Sequence, residues 1–195
     1  MPTQRTLAAE FGVNMASIRE AVKRLEQLRL VEVRHGDATR VLDWRQSGLE
    51  ALAVLGTVDA NVVRPLFESR RLVLTQVARL AAERRSEDQA EEISRIASSM
   101  AGAPDDESAQ LIDWAFVSAV VEAADNLIFQ LMANSVRKLY LAHAPRFVAL
   151  IARRDELGPL YQDVAAAIRA GDPDATGTAM SNLTAAHEER MLEAL

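Results

Sequence analysis

The sequence predicts a mainly α-helical protein, in which a small N-terminal winged helix-turn-helix precedes an all-α bundle of six or seven helices. Aromatic residues make up only 5% of the chain, and abundant alanine and leucine favour helices over a β-sandwich. The first 42 residues show a helix, turn, helix and hairpin pattern, and from about residue 48 onward the apolar residues recur with helical spacing. The hydrophobic content of 49% is that of a folded chain.

The length of 195 residues suits one medium domain with a small additional one. We predict a winged helix-turn-helix domain over 1–42, a linker over 43–49 and an all-α domain over 50–195. The absence of cysteine excludes disulfides, thiolate metal ligands and a cysteine nucleophile. Because no basic leader and no apolar run of about 20 residues occurs, we expect a cytoplasmic protein without a membrane segment.

Charge is distributed unevenly along the chain. Residues 1–42 contain seven basic and five acidic residues, a balance of +2, whereas the remainder contains 15 and 23, a balance of −8. Attraction to phosphate is therefore expected only for the N-terminal segment. The asymmetry predicts two different tasks in one chain.

The first helix is predicted to start near Thr3, with an apolar face formed by Leu7, Ala8 and Phe11. A tight turn over 12–14 follows, in which glycine can adopt a positive φ and Asn14 can cap the next helix.

The second helix is predicted to run to about Arg29, because apolar residues recur at intervals of four, three and three: Ile18, Val22, Leu25 and Leu28. Residues 30–34 then alternate as in a strand, 35–37 form a turn, and 39–42 return as a second strand. A helix-turn-helix needs a small residue, a turn glycine and an inward apolar anchor, and Ala8, Gly12 and Ile18 have that spacing. The alternative is an ordinary amphipathic helical hairpin.

The spacing of apolar residues in the rest of the sequence predicts helices over these ranges: 48–56, 60–85, 87–101, 106–124, 127–146, 147–170 and 173–194. One face of the long second helix is expected to combine five residues: Val62, Leu66, Arg70, Val73 and Val77. Another helix places four residues on one face: Ile112, Phe116, Val120 and Ala123. Gly171 can end a helix, and Asp172 followed by Pro173 can begin the next.

The segments over 2–26 and 30–36 closely resemble the winged helix of the GntR family of bacterial transcriptional regulators. The helical remainder resembles the FadR subfamily, whose effector domain is a six- or seven-helix bundle. Short sequences at 35–41, 47–49, 126–134 and 139–140 resemble its fatty-acid-responsive branch. The resemblance implies a homodimer that binds double-stranded operator DNA and a small-molecule effector.

The resemblance implies DNA contacts by residues of both helices and of the wing: Arg5, Asn14, Ala16, Ser17, Arg19, His35 and Gly36. Arginine can bind guanine, and a short hydroxyl can bind phosphate. The alternative is that Arg5, Arg19 and Arg34 are solvated charges, that His35 is a turn residue, and that Glu20 pairs with Arg24.

The sequence departs from the family at Met15, where related proteins carry arginine, and at Ala16, where threonine is common. A different operator sequence is therefore expected. Family members also have an additional helix before the helix-turn-helix, so we expect a partial DNA-binding domain here. Without that helix the apolar side chains of Leu7, Phe11 and Leu25 would be exposed.

Many members of the subfamily bind a divalent metal through one aspartate and three histidines. Here Asp113 is present, but the matching positions hold Val117, Tyr161 and Leu183, and neither His143 nor His187 has the family spacing. One carboxylate is too weak a metal site. We expect no metal and no other cofactor.

The fatty-acyl-responsive branch lacks the same histidines, which implies an acyl-CoA or organic acid effector. Five residues are predicted to bind it: Arg70, Asp113, Val117, Tyr161 and Leu183. An acyl chain would lie among apolar side chains of the bundle: Phe116, Val117, Phe129, Leu183 and Met191. Arg70 or Arg137 would lie near its anionic group.

Each of these positions also has a simpler interpretation. Val117 and Leu183 can be ordinary core residues, and Tyr161 can be a polar group in the pocket or a packed ring with its hydroxyl at the surface. Asp113 lies on an apolar helix, where a carboxylate needs a polar partner, and Arg70 is the candidate.

The main hypothesis is a ligand-responsive transcriptional regulator. The alternative is a helical ligand-binding or interaction protein with a vestigial DNA-binding segment. An enzyme is disfavoured, because the sequence contains none of the GxSxG, Walker A, GxGxxG and HExxH motifs.

Overall fold

A computed structural model describes residues 1–33, 39–48, 60–142 and 144–195. The chain divides into two compact units, Met1–Leu55 and Gly56–Leu195. The mainly helical class with a short two-stranded hairpin is confirmed. The helix predicted over 48–56 lies, after its first residue, outside the described residues, and the boundaries proposed at 42 and 49 stay predictions.

The described part of the N-terminal unit contains two α-helices, a hairpin and a short 3-10 helix: α1 (Gln4–Phe11), α2 (Met15–Gln27), β1 (Val31–Glu32), β2 (Arg40–Val41) and the 3-10 helix (Trp44–Gln46). The strands are antiparallel, and Val31 lies opposite Val41. Gly12 ends α1 with a φ of 64°, in the left-handed region that glycine adopts without strain.

Ala8 and Ile18 bring the two helices into contact as predicted, and they form a small core with Val22 and Val31. Leu7 and Leu25 pack against this core and are half-buried. Phe11 is 65% exposed, since it lies at the last position of α1, beyond the contact with α2.

The second unit consists of seven helices among its described residues: α3 (Ala60–Arg84), α4 (Glu87–Ser99), α5 (Asp106–Ala123), α6 (Leu127–Ala142), a 3-10 helix (Ala144–Ile151), α7 (Arg154–Ala170) and α8 (Pro173–Glu193). Helix α3 packs mainly against α8, which also packs against α7 and the 3-10 helix, whereas α4 packs against α5 and α7. No described helix is both long enough and apolar enough to cross a bilayer.

The predicted start of α8 is confirmed. Gly171 has a φ of 67°, and the Asp172 carboxylate accepts hydrogen bonds from the backbone amides of Asp174 and Ala175, each at 3.0 Å. Pro173 occupies the first turn, where its missing N–H has no helical partner to lose.

The predicted boundary between the helices over 127–146 and 147–170 is wrong. Helix α6 ends at Ala142, and α7 begins only at Arg154, after the separate 3-10 helix. Pro145 lacks an amide proton and disfavours the α conformation in the residue before it, and Arg153 adopts a left-handed conformation with a φ of 53°. These two residues interrupt the helical path.

The predicted face of α3 is also wrong at one position. Val73 is 36% exposed, whereas its neighbour Leu74 is 8% exposed and belongs to the core. The buried stripe contains Val63, Phe67 and Val77, so Val73 falls at the solvent side of this stripe. The predicted face of α5 is confirmed, because Phe116, Val120 and Ala123 are buried and Ile112 packs against them; the side chain of Val62 lies outside the described residues.

Candidate functional site

The N-terminus of α2 is fixed by local hydrogen bonds. The Asn14 Oδ1 atom accepts a hydrogen bond from the Ser17 amide at 2.8 Å and a second from Ser17 Oγ at 3.2 Å. This capping confirms the predicted helix start. The amides of the first turn point away from the helix body, a geometry that suits the binding of a phosphate.

One side of α2 is buried and the other is exposed. Ile18 and Val22 face the core of the unit. The exposed residues of α2 include the following: Ala16, Ser17, Arg19, Glu20, Lys23 and Arg24. Glu20 and Arg24 form the anticipated ion pair at 3.5 Å, whereas Arg19 and Lys23 form no ion pair with any described residue.

Met15 packs against the N-terminal core and is half-buried. Its side chain therefore lies on the buried side of α2 and not on the exposed side. Arg5 is exposed on α1. The predicted wing contacts His35 and Gly36 lie outside the described residues, so the structure places only part of the predicted DNA-binding set.

A buried polar cluster lies in the helical unit. The Tyr161 hydroxyl of α7 donates to Asp113 Oδ1 of α5 at 2.7 Å, and Arg70 Nη2 of α3 lies 3.4 Å from the same oxygen. The Tyr161 oxygen lies 3.2 Å from His187 Nε2 of α8. Asp113, Tyr161 and His187 are almost fully buried. The cluster joins four helices, and Arg70 is the predicted partner of Asp113.

The hydrogen-bond directions follow from the available protons. Tyr161 has a single hydroxyl proton, which it gives to Asp113. Its oxygen can then only accept, so His187 must be protonated at Nε2. The hydrogen-bonded chain therefore runs from the His187 imidazole to the Tyr161 phenol to the Asp113 carboxylate. The Nδ1 atom of His187 is an acceptor that has no partner among the described residues.

Burial sets the protonation states of this cluster. Desolvation raises the pKa of Tyr161 well above its ordinary value, with a further rise from the charge of Asp113. Desolvation lowers the pKa of His187 to about 3, and the charges of Arg70 and Arg190 act in the same direction while Asp113 opposes them. Tyr161 and His187 are therefore neutral at pH 7.

The predicted effector residues lie at different places relative to this cluster. Arg70, Asp113 and Tyr161 belong to it, and the hydroxyl of Tyr161 is buried and hydrogen-bonded, so it does not lie at the surface. Val117 and Leu183 are buried in the continuous apolar core. Phe129 packs at the edge of that core, and Arg137 is exposed on α6.

Sequence reasoning missed His187. It lies one helical turn after Leu183, so it projects from the same face of α8 as the residue that aligns with a family histidine position. The spacing places His187 on that face, but its contact with Tyr161 depends on how α7 and α8 pack.

The residues present do not fit the divalent metal that the resemblance implies for the subfamily. Val117 and Leu183 have no ligand atom, the Tyr161 phenol keeps its proton, and Asp113 already contacts a guanidinium. Among the residues that the structure describes, no three His, Cys, Asp or Glu side chains are grouped as metal ligands.

Comparison with known proteins identifies both units. Residues 1–41 match the family of bacterial regulatory proteins named gntR, and residues 65–186 match the FCD domain. The chain belongs to the GntR family. The chain is 34% identical over 188 residues to the HTH-type transcriptional regulator Mce2R of Mycobacterium tuberculosis, an alignment that covers 94% of this chain and 78% of the relative.

A fatty acid metabolism regulator protein of Escherichia fergusonii is 26% identical over 89% of this chain and 74% of its own length. Among solved structures, Streptococcus agalactiae GntR has a TM-score of 0.58 at 23% identity and covers 97% of this chain and 88% of that one. This GntR protein is thus a transcriptional regulator with an N-terminal DNA-binding domain and a C-terminal effector-binding domain. The predicted family is confirmed, and so is the predicted class of function, a transcriptional regulator with an effector-binding domain.

Replacement of Tyr161 by phenylalanine tests the hydrogen-bonded chain. Because Asp113 would lose its shortest hydrogen bond while buried, the Tyr161→Phe variant should lose about 1–3 kcal/mol of unfolding free energy. Urea denaturation at pH 7 measures this loss. The matched control is Tyr140→Phe, whose buried hydroxyl forms no hydrogen bond to Asp113 and whose removal should therefore cost less than that of the Tyr161 hydroxyl. Equal losses of unfolding free energy in the two variants would contradict the assigned hydrogen bond between Tyr161 and Asp113.

The buried neutral His187 also predicts a pH dependence of stability. Below about pH 6.5 the unfolded chain takes up a proton at this residue, whereas the folded chain, with a pKa of about 3, does not. Stability should therefore fall as the pH drops from 7 to 5, by about 2 kcal/mol from this residue. The His187→Gln variant lacks this contribution. Urea denaturation of both proteins at each pH measures it, and parallel pH profiles would show the assignment to be wrong.

Proposed function

We propose that this regulator binds a palindromic operator as a homodimer through the exposed side of α2, and that an effector in the helical unit changes its operator affinity. The observation that carries the proposal is the unobstructed outer side of α2, whose inner side is fixed on the core of the unit. A recognition helix needs this arrangement, because its outer side must enter the major groove.

The DNA-binding residues fall into two kinds. Ala16 and Ser17 are short, so they allow the first turn of α2 to approach the DNA backbone closely, and the Ser17 amide and hydroxyl are held by Asn14. Arg19 is exposed and free of ion pairs within the described residues, so it is available for a base edge or a phosphate. Arg5 supplies a further cation from α1, and His35 and Gly36 remain the proposed wing contacts.

An apolar surface on α6 supports the homodimer. This surface, which we name the α6 stripe, consists of Leu127, Ile128, Leu131, Met132 and Val136, each at least 40% exposed. An exposed apolar stripe is an interaction surface in a folded protein. A second copy is the proposed occupant, since two half-sites of a palindrome require a two-fold symmetric protein, whose isologous interface uses the same surface twice.

The effector is proposed to be an acyl-CoA or an organic acid, both of which carry negative charge. Arg70 is the cation of the buried cluster, and 22% of its side chain is exposed, so an anion can reach it. The similarity to a fatty acid metabolism regulator supports this range of ligands. Because binding energies are coupled reciprocally, operator DNA and effector must change each other's affinity by the same factor. This function requires no catalytic step and is exercised in the cytoplasm.

Arg19→Ala tests the DNA-binding surface. Loss of a contact to a base or phosphate should weaken binding to a genomic operator fragment by roughly ten- to hundredfold and make the salt dependence less steep. Gel shifts at several salt concentrations measure both effects. Arg95→Ala removes the same charge from an exposed ion pair of the helical unit and should leave affinity unchanged. If no fragment binds specifically, the alternative of a ligand-binding protein with a vestigial DNA-binding segment is favoured.

Leu131→Glu tests the homodimer. A carboxylate at the centre of the α6 stripe cannot be buried against its symmetry mate without a large desolvation cost, so the variant should sediment as a monomer at micromolar concentration and bind the operator weakly. Leu111→Glu is the control, since Leu111 is 54% exposed on α5, compared with 53% for Leu131. A dimeric Leu131→Glu variant would exclude this surface as the interface.

A further inference from the structure

Glu20 occupies the most outward position of α2. Ile18 and Val22 are buried in the core of the N-terminal unit. Each of them lies two positions from Glu20, which is about 200° around an α-helix, so Glu20 points almost directly away from both. Its side chain is 62% exposed. Arg19 lies only about 100° from Ile18 and therefore on the flank of the outer side. A duplex that meets this side meets the Glu20 carboxylate at its centre.

Short side chains leave room in front of this carboxylate. Glu20 shares a concave surface with five residues: Asn14, Ala16, Ser17, Ala21 and Arg24. The alanines have no side-chain atoms beyond Cβ, and Asn14 Oδ1 is bonded to the Ser17 amide at 2.8 Å. The charged groups of the surface are therefore one carboxylate and one guanidinium, and the edge of a base can approach them.

Arg24 contacts one of the two carboxylate oxygens. Its Nε atom lies 3.5 Å from Oε1 of Glu20, one helical turn earlier, and its side chain is 74% exposed. Exposed pairs at this spacing add little to stability, so the fold does not require the pair. The second oxygen, Oε2, has no ion-pair partner among the described residues and is available as an acceptor.

A carboxylate that faces DNA is repelled by the phosphates unless a base gives it a hydrogen bond. In the major groove the donors are the N4 amino group of cytosine and the N6 amino group of adenine. Adenine has the N7 acceptor beside its amino group, which repels a carboxylate oxygen, whereas cytosine has a C–H group in that place. A glutamate therefore accepts best from cytosine.

We propose that Glu20 is a specificity-determining residue, which accepts a hydrogen bond from the N4 amino group of one cytosine in each half-site of the operator. Arg24 is a positioning residue, because it holds Oε1 and leaves Oε2 for the base. This role rests on the proposed function in one respect, namely that the outer side of α2 enters the major groove. At any other base the carboxylate meets no suitable donor and weakens binding.

Selection from a library of randomised duplexes by the full chain tests the base preference. Sequencing of the bound DNA gives the preferred base at each position, and the parent should enrich cytosine at one position of each half-site. Glu20→Gln should replace this cytosine by adenine, because a glutamine amide donates to N7 and accepts from the N6 amino group. Glu20→Ala should show no preference at this position.

Two duplexes that differ only by N4-methylcytosine at this position test the atom. The methyl group replaces the amino hydrogen in the major groove and leaves the base pair intact. The parent should bind the methylated duplex at least about fivefold more weakly, whereas Glu20→Ala should bind both duplexes equally. On random-sequence DNA at low salt, Glu20→Ala should bind about three- to tenfold more tightly than the parent, because a negative charge has been removed.

Further variants separate position from charge, and thermal unfolding verifies that each is folded. Glu10→Gln removes the same charge from α1, where Glu10 is exposed, and should keep the preference for cytosine. Arg24→Ala should reduce the discrimination against N4-methylcytosine, because the carboxylate is no longer held. Arg24→Lys keeps a cation beside Oε1 and should restore most of this discrimination.

The outcomes distinguish this role from the proposed function. Enrichment of the same bases by the parent, Glu20→Gln and Glu20→Ala overturns the role of Glu20 and leaves the proposed function intact. Equal affinity of the parent for the methylated and unmethylated duplexes excludes the N4 contact. A loss of the cytosine preference in Glu10→Gln also overturns the role, because the effect then follows net charge. If the parent enriches no sequence, the proposed function fails together with it.

Discussion

The buried carboxylate of Asp113 is the constraint on which the helical unit depends. A charged group in an apolar bundle is stable only if its lone pairs meet donors. The donors come from other helices, because Arg70 lies on α3 and Tyr161 on α7, and Tyr161 is oriented in turn by His187 of α8. Apolar contacts are non-directional, whereas these hydrogen bonds require particular distances between particular atoms. The cluster therefore adds directional contacts among four helices to the apolar packing.

Arginines perform a related task at the ends of the same helices. Arg84 donates to the Ala124 carbonyl at 2.9 Å, and Arg85 donates to the carbonyls of Ile168 and Arg169 at 3.2 and 2.7 Å, where α7 ends. Cations are favoured at helix C-termini because the last carbonyls have no helical partner. Helix α3 and the residue that follows it thus make polar contacts both with the central cluster and with the ends of α5 and α7. A ligand at Arg70 would act on the helix that carries both kinds of contact.

The sequence predicted features that depend on neighbouring residues and failed where distant residues decide. Gly12, Asn14 and Gly171 mark turns and caps whose geometry is local, and the structure has them at the predicted places. The pairing of Arg70 with Asp113 was predictable, since a carboxylate on an apolar helix needs a partner. The role of His187 was not, because its contact with Tyr161 depends on how α7 and α8 pack, and no spacing along the chain reveals the angle between two helices.

The departure at Met15 has a physical meaning for recognition. Because Met15 packs against the N-terminal core, its side chain stabilises the start of α2 and offers no hydrogen bond to a base. Ala16 and Ser17 are too short to reach far into a groove, so they favour close approach of the helix over base contacts. Arg19 is then the first long donor on the exposed side. Under the proposed function, discrimination by the first turns of α2 depends chiefly on Arg19, on the proposed contact of Glu20 and on the shape that the DNA must adopt to admit the helix.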